Sequence, residues 1–117
     1  MPAVPVSPAR GEIWLADLDP VLGHEQAGRR PVLVVSVDQY NQSRADLAVV
    51  LPVTSTIRHL PFHITVVPPE GGLTNESSIL CDGLRSISKQ RFVRCWGRVS
   101  SATLAAVDER LRILLNL

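Results

Sequence analysis

The fold is decided by the stretch PVLVVSVDQYNQSRADLAVVLPVT, residues 31–54. Two valine-rich runs, 31–37 and 47–54, lie on either side of a polar segment, 38–46. Valine favours strands because its branched side chain packs well on a pleated surface, and both runs are short enough to be buried strands. The polar segment predicts a turn with room for one helical turn. Pro52 indicates a bulge or a sheet edge, because proline lacks the N–H that a ladder needs.

Outward from this stretch, other short runs predict further strands. They cover residues 11–18, 62–67, 78–81 and 92–99, with a short strand or turn at 86–89. Alternation in the 92–99 run predicts that Trp96 lies on one face with two arginines, and that Cys95 lies on the other face with two valines. Residues 19–30 predict a long loop and 68–75 a turn, because proline and glycine interrupt both segments.

The hydrophobic period changes in the last segment, residues 101–115. Apolar residues there recur at helical spacing, and Ser100 or Ser101 is a suitable N-cap. They are Leu104, Val107, Leu111 and Leu114. Several short strands followed by one helix predict a mainly β fold, a curled antiparallel sheet or small barrel with the C-terminal helix closing one end.

The length and the charge of the chain restrict its possible functions. A chain of 117 residues suffices for one domain, which we place at 10–117 after a flexible proline-rich tail at 1–9. The formal net charge of +1 excludes a uniformly basic body, so binding to a nucleic acid would need a local basic patch. The tail lacks the basic region of a signal peptide, and no apolar run approaches the ~20 residues that cross a bilayer. A cytoplasmic location is therefore expected by elimination.

The cysteines and histidines do not suggest a metal site. Cys81 and Cys95 are too few and too far apart for a zinc site or a redox motif, and we interpret both as reduced core residues. His59 and His63 are expected to be surface or packing residues, because no carboxylate or cysteine stands at metal-ligand spacing from them.

Polar residues concentrate in three segments that border predicted strands. These are residues 24–31 (HEQAGRRP), 54–59 (TSTIRH) and 82–91 (DGLRSISKQR). Each segment alone is typical of a solvated loop, because polar residues gather where the chain is exposed. Taken together, the three segments resemble a known family.

The string GEIWLADLDPVLGHEQAGRRPVLVVS, residues 11–36, is similar to the amino-terminal half of MazF/PemK-type (Kid-like) toxins of type II toxin-antitoxin systems. Those proteins begin with a Gly-acidic-x-aromatic strand, followed by Asp-Pro, then by Gly-x-Glu-Gln-x-Gly-x-Arg-Pro and a hydrophobic strand. The matching positions are Gly11, Glu12, Trp14, Asp19, Pro20, Gly23, Glu25, Gln26, Gly28, Arg30 and Pro31. The strings LPVTSTIRHLPFHI and CDGLRSISKQR resemble later segments of the family, so the likeness extends over residues 10–117.

The resemblance implies a homodimeric SH3-like barrel, the MazF/CcdB-type toxin fold, acting as a sequence-specific endoribonuclease on single-stranded RNA and so inhibiting translation and growth. It implies neither metal nor cofactor, because the RNA supplies its own nucleophile. The 2′-hydroxyl attacks the adjacent phosphorus and expels the 5′-oxygen, leaving a 2′,3′-cyclic phosphate and a 5′-hydroxyl. The step needs a base, an acid and cationic stabilisation of the phosphorane. The implied partner is a small acidic MazE-like antitoxin whose C-terminal tail would cover the RNA site.

The resemblance also assigns catalytic roles to individual residues. Arg30 matches the family arginine before proline, and its guanidinium fork would bind two phosphate oxygens and stabilise the transition state. Thr54 matches the family threonine and would hydrogen-bond a phosphate oxygen or the 2′-hydroxyl. His24, Glu25 and Asp82 match positions that some branches use for proton transfer or positioning, and histidine suits proton transfer near neutral pH.

Recognition of RNA would fall to loop residues and to the stretch after Pro68. The predicted RNA-binding residues are Gln26, Arg29, Ser55, Thr56, Arg58, His59 and Arg85. One branch of the family has an arginine two positions before that of Asp82, where this chain has Leu80. The general acid must then be Arg30 or His24, and the sequence leaves that choice open.

Other interpretations of the same residues remain open at this stage. Arg30 could be structural and pair with Glu25 or Asp19, and Thr54 could be an ordinary turn residue. The two tryptophans could be core or interface aromatics, or Trp96 could stack on a base.

Two other functions are consistent with the same barrel. A CcdB-like toxin binds a protein target such as gyrase through its C-terminal helix, but this chain ends in RILLNL rather than in Trp-Gly-Ile. The second alternative function is that of a barrel that binds RNA but does not cleave it. In that case Arg30→Ala would weaken binding and cleavage in proportion, whereas a catalytic Arg30 predicts loss of cleavage with RNA still bound.

Overall fold

Seven short strands and two helices make up the part of the chain that the computed structural model describes, residues 7–18 and 28–117. The strands are β1 (Glu12–Asp17), β2 (Arg29–Val34), β3 (Leu47–Thr54), β4 (His63–Val66), β5 (Ser77–Leu80), β6 (Arg85–Ser88) and β7 (Phe92–Arg98). The helices are α1 (Asp38–Asn41) and α2 (Ser101–Leu115), and single 3₁₀ turns cover Glu70–Gly72, Cys81–Gly83 and Lys89–Arg91. The predicted mainly β fold with a C-terminal helix is confirmed.

The strands form one curled antiparallel sheet in the order β4-β5-β3-β2-β1-β7. Strand β3 has a third neighbour, because its first half pairs with β6 and its last two residues pair with β5. This change of partner along one strand curls the sheet, as predicted. Among the described strands, β4 and β7 lie at the two ends of this order, and β6 pairs with β3 alone.

The proline of β3 lies at this change of partner. Pro52 is buried opposite Val32 of β2, and it belongs neither to the segment that pairs with β6 nor to the segment that pairs with β5. The prediction of an edge at Pro52 therefore holds only locally, because β3 lies inside the sheet but has no paired partner on this side at Pro52. The position tolerates proline because both pairings on that side of β3 are complete without its N–H.

Strands β2 and β3 bury both of their faces, which explains their valine-rich sequences. The buried apolar residues form two clusters, a larger one and a smaller one. Leu33 of β2 belongs to the larger core cluster, together with the fully buried Val107 of α2. Its neighbour Val32 joins the smaller cluster, together with Ile87 of β6 and Phe92 of β7. A strand that is covered on both faces has a continuous apolar run rather than an alternating one.

Helix α2 begins where its sequence predicts. The Ser100 hydroxyl accepts a hydrogen bond from the Thr103 N–H at 3.1 Å, and the Glu70 carboxylate accepts one from the Ser100 N–H at 2.9 Å. Hydrogen bonds from Thr103 and Ser100 hold the pKa of Glu70 below its usual range. On the predicted apolar face, Leu104 and Leu111 pack with Val107 on the core, whereas Leu114 is exposed.

The two cysteines differ in their surroundings. Cys81 is fully buried as predicted, and burial raises the pKa of its thiol to about 11. The prediction for Cys95 is wrong, because this residue is exposed. Its register explains the difference: Ile13 pairs with Gly97 but Trp14 pairs with Cys95, so β7 has one extra residue at this point. Such a bulge breaks the alternation of faces.

The packed part of the described chain begins at Pro8, slightly before the predicted domain boundary at Arg10. Pro8 is fully buried, and the Ala9 N–H donates to the Glu12 carboxylate at 2.7 Å. Most of the predicted loop, residues 19–27, lies outside the described residues, as do residues 1–6. The end of that predicted loop is instead the beginning of β2. No helix in the described part of the chain is long and apolar enough to cross a membrane.

Candidate functional site: a cationic cavity at the strand ends

A cavity of about 210 Å³ opens where the ends of several strands meet. Its wall consists of Arg30 and Pro31 from β2, residues 53–56 at the end of β3, residues 73–75 and Ser77 around the start of β5, and Trp96 from β7. Among these described lining residues, Arg30 is the only charged one, and most of the others carry a hydroxyl or an amide. The cavity therefore favours an anionic ligand that accepts hydrogen bonds.

The antiparallel register of β2 and β3 brings Arg30 and Thr54 together. Val32 lies opposite Pro52, and the same register continued by two residues places Arg30 beside Thr54. On its other side, Thr54 pairs with Ser78 of β5. Two residues that are distant in sequence thus line the same cavity.

The Thr54 side chain is held in a fixed orientation. Its Oγ1 accepts a hydrogen bond from the Thr56 N–H at 3.1 Å, which forms a small turn directly after β3. Because a hydroxyl both accepts and donates, the Thr54 proton can still be donated to a bound oxygen. Across the cavity, the Ser77 hydroxyl donates to the Asn75 carbonyl at 2.9 Å and so stabilises the loop that forms the opposite wall.

Asp82 lies in a different cluster. Its Oδ1 is 3.6 Å from Nε2 of His63, and its carboxylate is about half exposed. Thr54 pairs with Ser78 near the start of β5, whereas Asp82 follows the end of that strand. Within one chain, the structure therefore does not bring Asp82 to the Arg30–Thr54 cavity.

The predicted RNA-binding residues are divided between the cavity and other surfaces. Ser55 and Thr56 line the cavity. Arg29 lies opposite Asp17 at the start of β2, Arg58 and His59 are exposed between β3 and β4, and Arg85 lies opposite Val50 at the start of β6. His24, Glu25 and Gln26 lie outside the described residues. In residues 7–18 and 28–117, no three His, Cys, Asp or Glu side chains lie close enough to hold a metal ion.

One wall of the cavity consists of residues that the sequence does not single out. Leu73, Thr74, Asn75 and Ser77 were included only in the general expectation that the stretch after Pro68 contributes to recognition. Trp96 also lies on this wall and packs on the larger core cluster. No local signal identifies these residues, because their position depends on the pairing of β5 with β3 and on the bulge in β7.

A curled antiparallel sheet with a C-terminal helix and a cationic cavity at its strand ends defines a small β-sheet protein that is suited to bind phosphate groups. This is the architecture that the sequence resemblance predicted, and comparison with known proteins identifies the family. The family model of "PemK-like, MazF-like toxin of type II toxin-antitoxin system" matches residues 9–115. The chain therefore belongs to the PemK-like, MazF-like toxin family, and the match gives no support to the CcdB-like alternative.

Individual relatives agree with this assignment. The chain is 41% identical over 113 residues to Endoribonuclease MazF9 of Mycobacterium tuberculosis. This alignment covers 92% of this chain and 96% of that protein. The crystal structure of MazF from Deinococcus radiodurans has a TM-score of 0.83 at 32% identity and covers 95% of this chain and 98% of that chain. A MazE-MazF crystal structure from the same organism has a TM-score of 0.78 at 33% identity, with 95% and 97% coverage.

Proposed function

We propose that this protein is the toxin of a type II toxin-antitoxin system and that it cleaves single-stranded RNA as a metal-independent endoribonuclease. The observation that carries the proposal is the cavity that Arg30 and Thr54 line together, at the adjoining ends of β2 and β3. Membership of the toxin family and the activity named for its relative MazF9 support the same function.

In the proposed reaction the 2′-hydroxyl of the RNA attacks the adjacent phosphorus. The P–O2′ bond forms as the P–O5′ bond breaks, a base takes the 2′-hydroxyl proton, and an acid protonates the leaving 5′-oxygen. Negative charge develops on the non-bridging oxygens of the phosphorane, where the fork of Arg30 can donate two hydrogen bonds. The Thr54 hydroxyl donates a third hydrogen bond to the phosphate or positions the 2′-hydroxyl.

The proton-transfer residues are proposed among His24 and Glu25, which closely precede Arg30 in the chain. A guanidinium holds its proton at any working pH and is therefore a poor base, whereas histidine and carboxylate side chains exchange protons readily. Asp82 is the weaker candidate, because it lies beyond the end of β5 and beside His63. His24 is therefore the preferred acid, and Arg30 is the alternative that the resemblance leaves open.

Cleavage in excess EDTA tests the proposal. A mixed-sequence RNA and its DNA counterpart are incubated with the protein, and the fragment ends are analysed. We expect cleavage of RNA only, with 2′,3′-cyclic phosphate and 5′-hydroxyl ends. Arg30→Ala should lower the rate by roughly 100-fold to 1,000-fold, the usual effect of removing one transition-state donor, and Thr54→Val by a smaller factor.

A matched control is Arg44→Ala, because Arg44 is an exposed arginine between α1 and β3 and does not line the cavity. This variant should cleave at the wild-type rate. If the folded wild-type protein cuts none of a varied set of RNAs yet arrests growth, the nuclease proposal is wrong and a protein-binding toxin is favoured.

Binding to an uncleavable RNA separates catalysis from binding alone. An oligonucleotide with a 2′-deoxy sugar at the cleaved position lacks the nucleophile but keeps the phosphates. Catalysis by Arg30 predicts that Arg30→Ala loses far more cleavage than binding, whereas a non-catalytic barrel predicts equal losses.

We also propose that the protein is a homodimer and that an acidic MazE-like antitoxin is its partner. The MazE-MazF crystal structure from Deinococcus radiodurans supports the antitoxin, and the cationic cavity would attract the acidic tail of such a protein. Co-expression with the product of the adjacent reading frame should yield a complex and restore growth. Light scattering should give twice the chain mass, and a monomer at micromolar concentration would contradict the dimer.

A further inference from the structure

A second cavity, of about 340 Å³, adjoins the Arg30–Thr54 cavity. It is lined by Gly72, Thr74, Arg94, Cys95 and Trp96, and two of these residues, Thr74 and Trp96, also line the first cavity. We propose that this second cavity binds the nucleoside next to the cleaved phosphate, with its base stacked on Trp96 and its outer phosphate beside Arg94. The inference rests on the proposed function, since it places the RNA relative to Arg30.

The indole of Trp96 is held in place before any ligand binds. Trp96 is half-buried and packs on the larger core cluster, while it also lines both cavities. The bulge in β7 lies at this residue, between the pairs Ile13–Gly97 and Trp14–Cys95. Bulges re-aim side chains, and a ring fixed by packing loses little conformational freedom when a base stacks on it.

The backbone around Trp96 is equally constrained. A methyl group at Gly72 would lie 2.1 Å from the Trp96 carbonyl oxygen, and one at Gly97 would lie 2.8 Å from the Gly71 carbonyl carbon. The turn at residues 71–72 therefore packs directly on β7 with no space for a side chain. Since Gly72 also lines the second cavity, this contact makes its floor a rigid surface.

The charge of the second cavity favours RNA as its ligand. Arg94 is exposed, and in the described part of the chain it makes no ion pair and no side-chain hydrogen bond, so its guanidinium can bind a phosphate. An aromatic ring beside a cation, continuous with a phosphate-binding cavity, matches the alternation of base and phosphate in a single strand. The volume lies within the range of about 300–1,000 Å³ that is usual for ligand sites.

Cleavage kinetics provide the first test, with an oligonucleotide that contains the sequence cut best by the wild-type protein. Stacking is present both before and during the reaction, so its loss should raise KM rather than lower kcat. We expect Trp96→Leu to raise KM on the order of 10-fold to 100-fold and Trp96→Phe to raise it much less. Trp14→Phe is the matched control, because Trp14 packs against Phe92 in the smaller cluster and should keep the wild-type KM.

Fluorescence gives a readout that does not depend on cleavage. The chain has two tryptophans, so Trp14→Phe leaves only Trp96 and Trp96→Phe leaves only Trp14. The uncleavable 2′-deoxy oligonucleotide should quench the fluorescence of the first variant and leave that of the second unchanged. This measurement also remains valid if Trp96→Leu fails to fold.

Salt dependence tests the phosphate contact. Each phosphate contact on a single strand contributes about 0.7 to the slope of log K against log salt concentration. Arg94→Gln should therefore lower the magnitude of the slope by about that amount, while Arg44→Gln, an equal loss of charge on another surface, should leave it unchanged.

The outcomes distinguish this inference from the proposed function. If the wild-type protein cleaves RNA and Arg30→Ala does not, but Trp96→Leu and Arg94→Gln keep the wild-type KM and salt slope, the second cavity is not part of the RNA site. If an acidic antitoxin peptide quenches Trp96 and RNA does not, the cavity is a protein site and the inference is also wrong. If no RNA is cleaved at all, the proposed function fails, and the fluorescence and salt data alone decide whether RNA binds here.

Discussion

Replacing Gly72 by alanine should destabilise this protein far more than the same replacement at Gly28. The two glycines have almost the same backbone conformation, with φ of +74° and +73°. An alanine in this left-handed region costs about 1–2 kcal/mol at either position. The conformational cost of alanine is therefore the same at both glycines. The two sites differ only in the space around the new methyl group.

The difference in space sets the expected magnitude. At Gly72 the methyl group would lie 2.1 Å from the Trp96 carbonyl oxygen and 2.6 Å from the carbonyl carbon. At Gly28, apart from its chain neighbours, no atom of residues 7–18 and 28–117 would lie within 4 Å of the methyl group. Backbone atoms of a paired strand cannot turn aside as a flexible side chain can, so β7 must shift. Overpacking of this kind adds about 1–3 kcal/mol. We therefore expect a loss of about 2–5 kcal/mol for Gly72→Ala and about 1–2 kcal/mol for Gly28→Ala.

Urea denaturation followed by circular dichroism measures this difference. With a slope of about 1–3 kcal/mol per molar urea, a difference of about 2 kcal/mol separates the two midpoints by roughly 1 M. All variants must be compared at one protein concentration, because the stability of the proposed dimer depends on it. Equal midpoints for the two variants would refute the close contact between residues 71–72 and β7, and with it the rigid floor of the second cavity.

Three further predictions concern polar groups in the fold. The pKa of Glu70 is lowered in the folded state, chiefly by the hydrogen bond from Thr103, so its stabilisation is present above the unfolded pKa and lost as the pH falls through the folded one. Glu70→Gln should therefore reduce the free energy of unfolding by about 0.5 kcal/mol at pH 7, since solvent screens this partly exposed carboxylate. In thermal unfolding, the difference between the two proteins should disappear as the pH falls through the folded pKa of Glu70. Burial raises the pKa of Cys81 from 9.0 to about 11, which makes the contribution of its thiol complete below pH 9 and lost as the pH rises through 11. The urea midpoint of the wild-type protein should fall as the pH rises over this range, and that of Cys81→Ala should fall less steeply. If the midpoints of the two proteins fall in parallel, the raised pKa of Cys81 is contradicted. Asn41 is fully buried, donates to the Ser36 carbonyl at 2.9 Å and accepts from the Ser36 hydroxyl. Asn41→Ala leaves the Ser36 carbonyl and hydroxyl without these partners, so it should lower the free energy of unfolding by about 2–3 kcal/mol. A loss below about 0.5 kcal/mol would show that water replaces the amide.

The sequence alone determined the elements whose signal is local. The helix at Ser101–Leu115 follows from the spacing of its apolar residues and from the Ser100 cap, both of which act within a few residues. The valine-rich runs predicted β2 and β3, because a short, continuous run of β-branched residues is typical of a strand covered on both faces. Arg30, Thr54, Ser55 and Thr56 were also predicted, since the family motif stands in contiguous segments that flank these strands.

Features that depend on the pairing of distant strands could not be predicted from the sequence and become visible only in the folded sheet. The bulge in β7 exposes Cys95 and turns Trp96 towards the cavities, and no residue within that strand indicates it. The register of β5 against β3 brings residues 73–77 to Thr54 and leaves Asp82 beside His63. A local pattern specifies which face of a segment is apolar, but the register between segments minimises the energy of the whole sheet, and so it is determined only when all strands pack together.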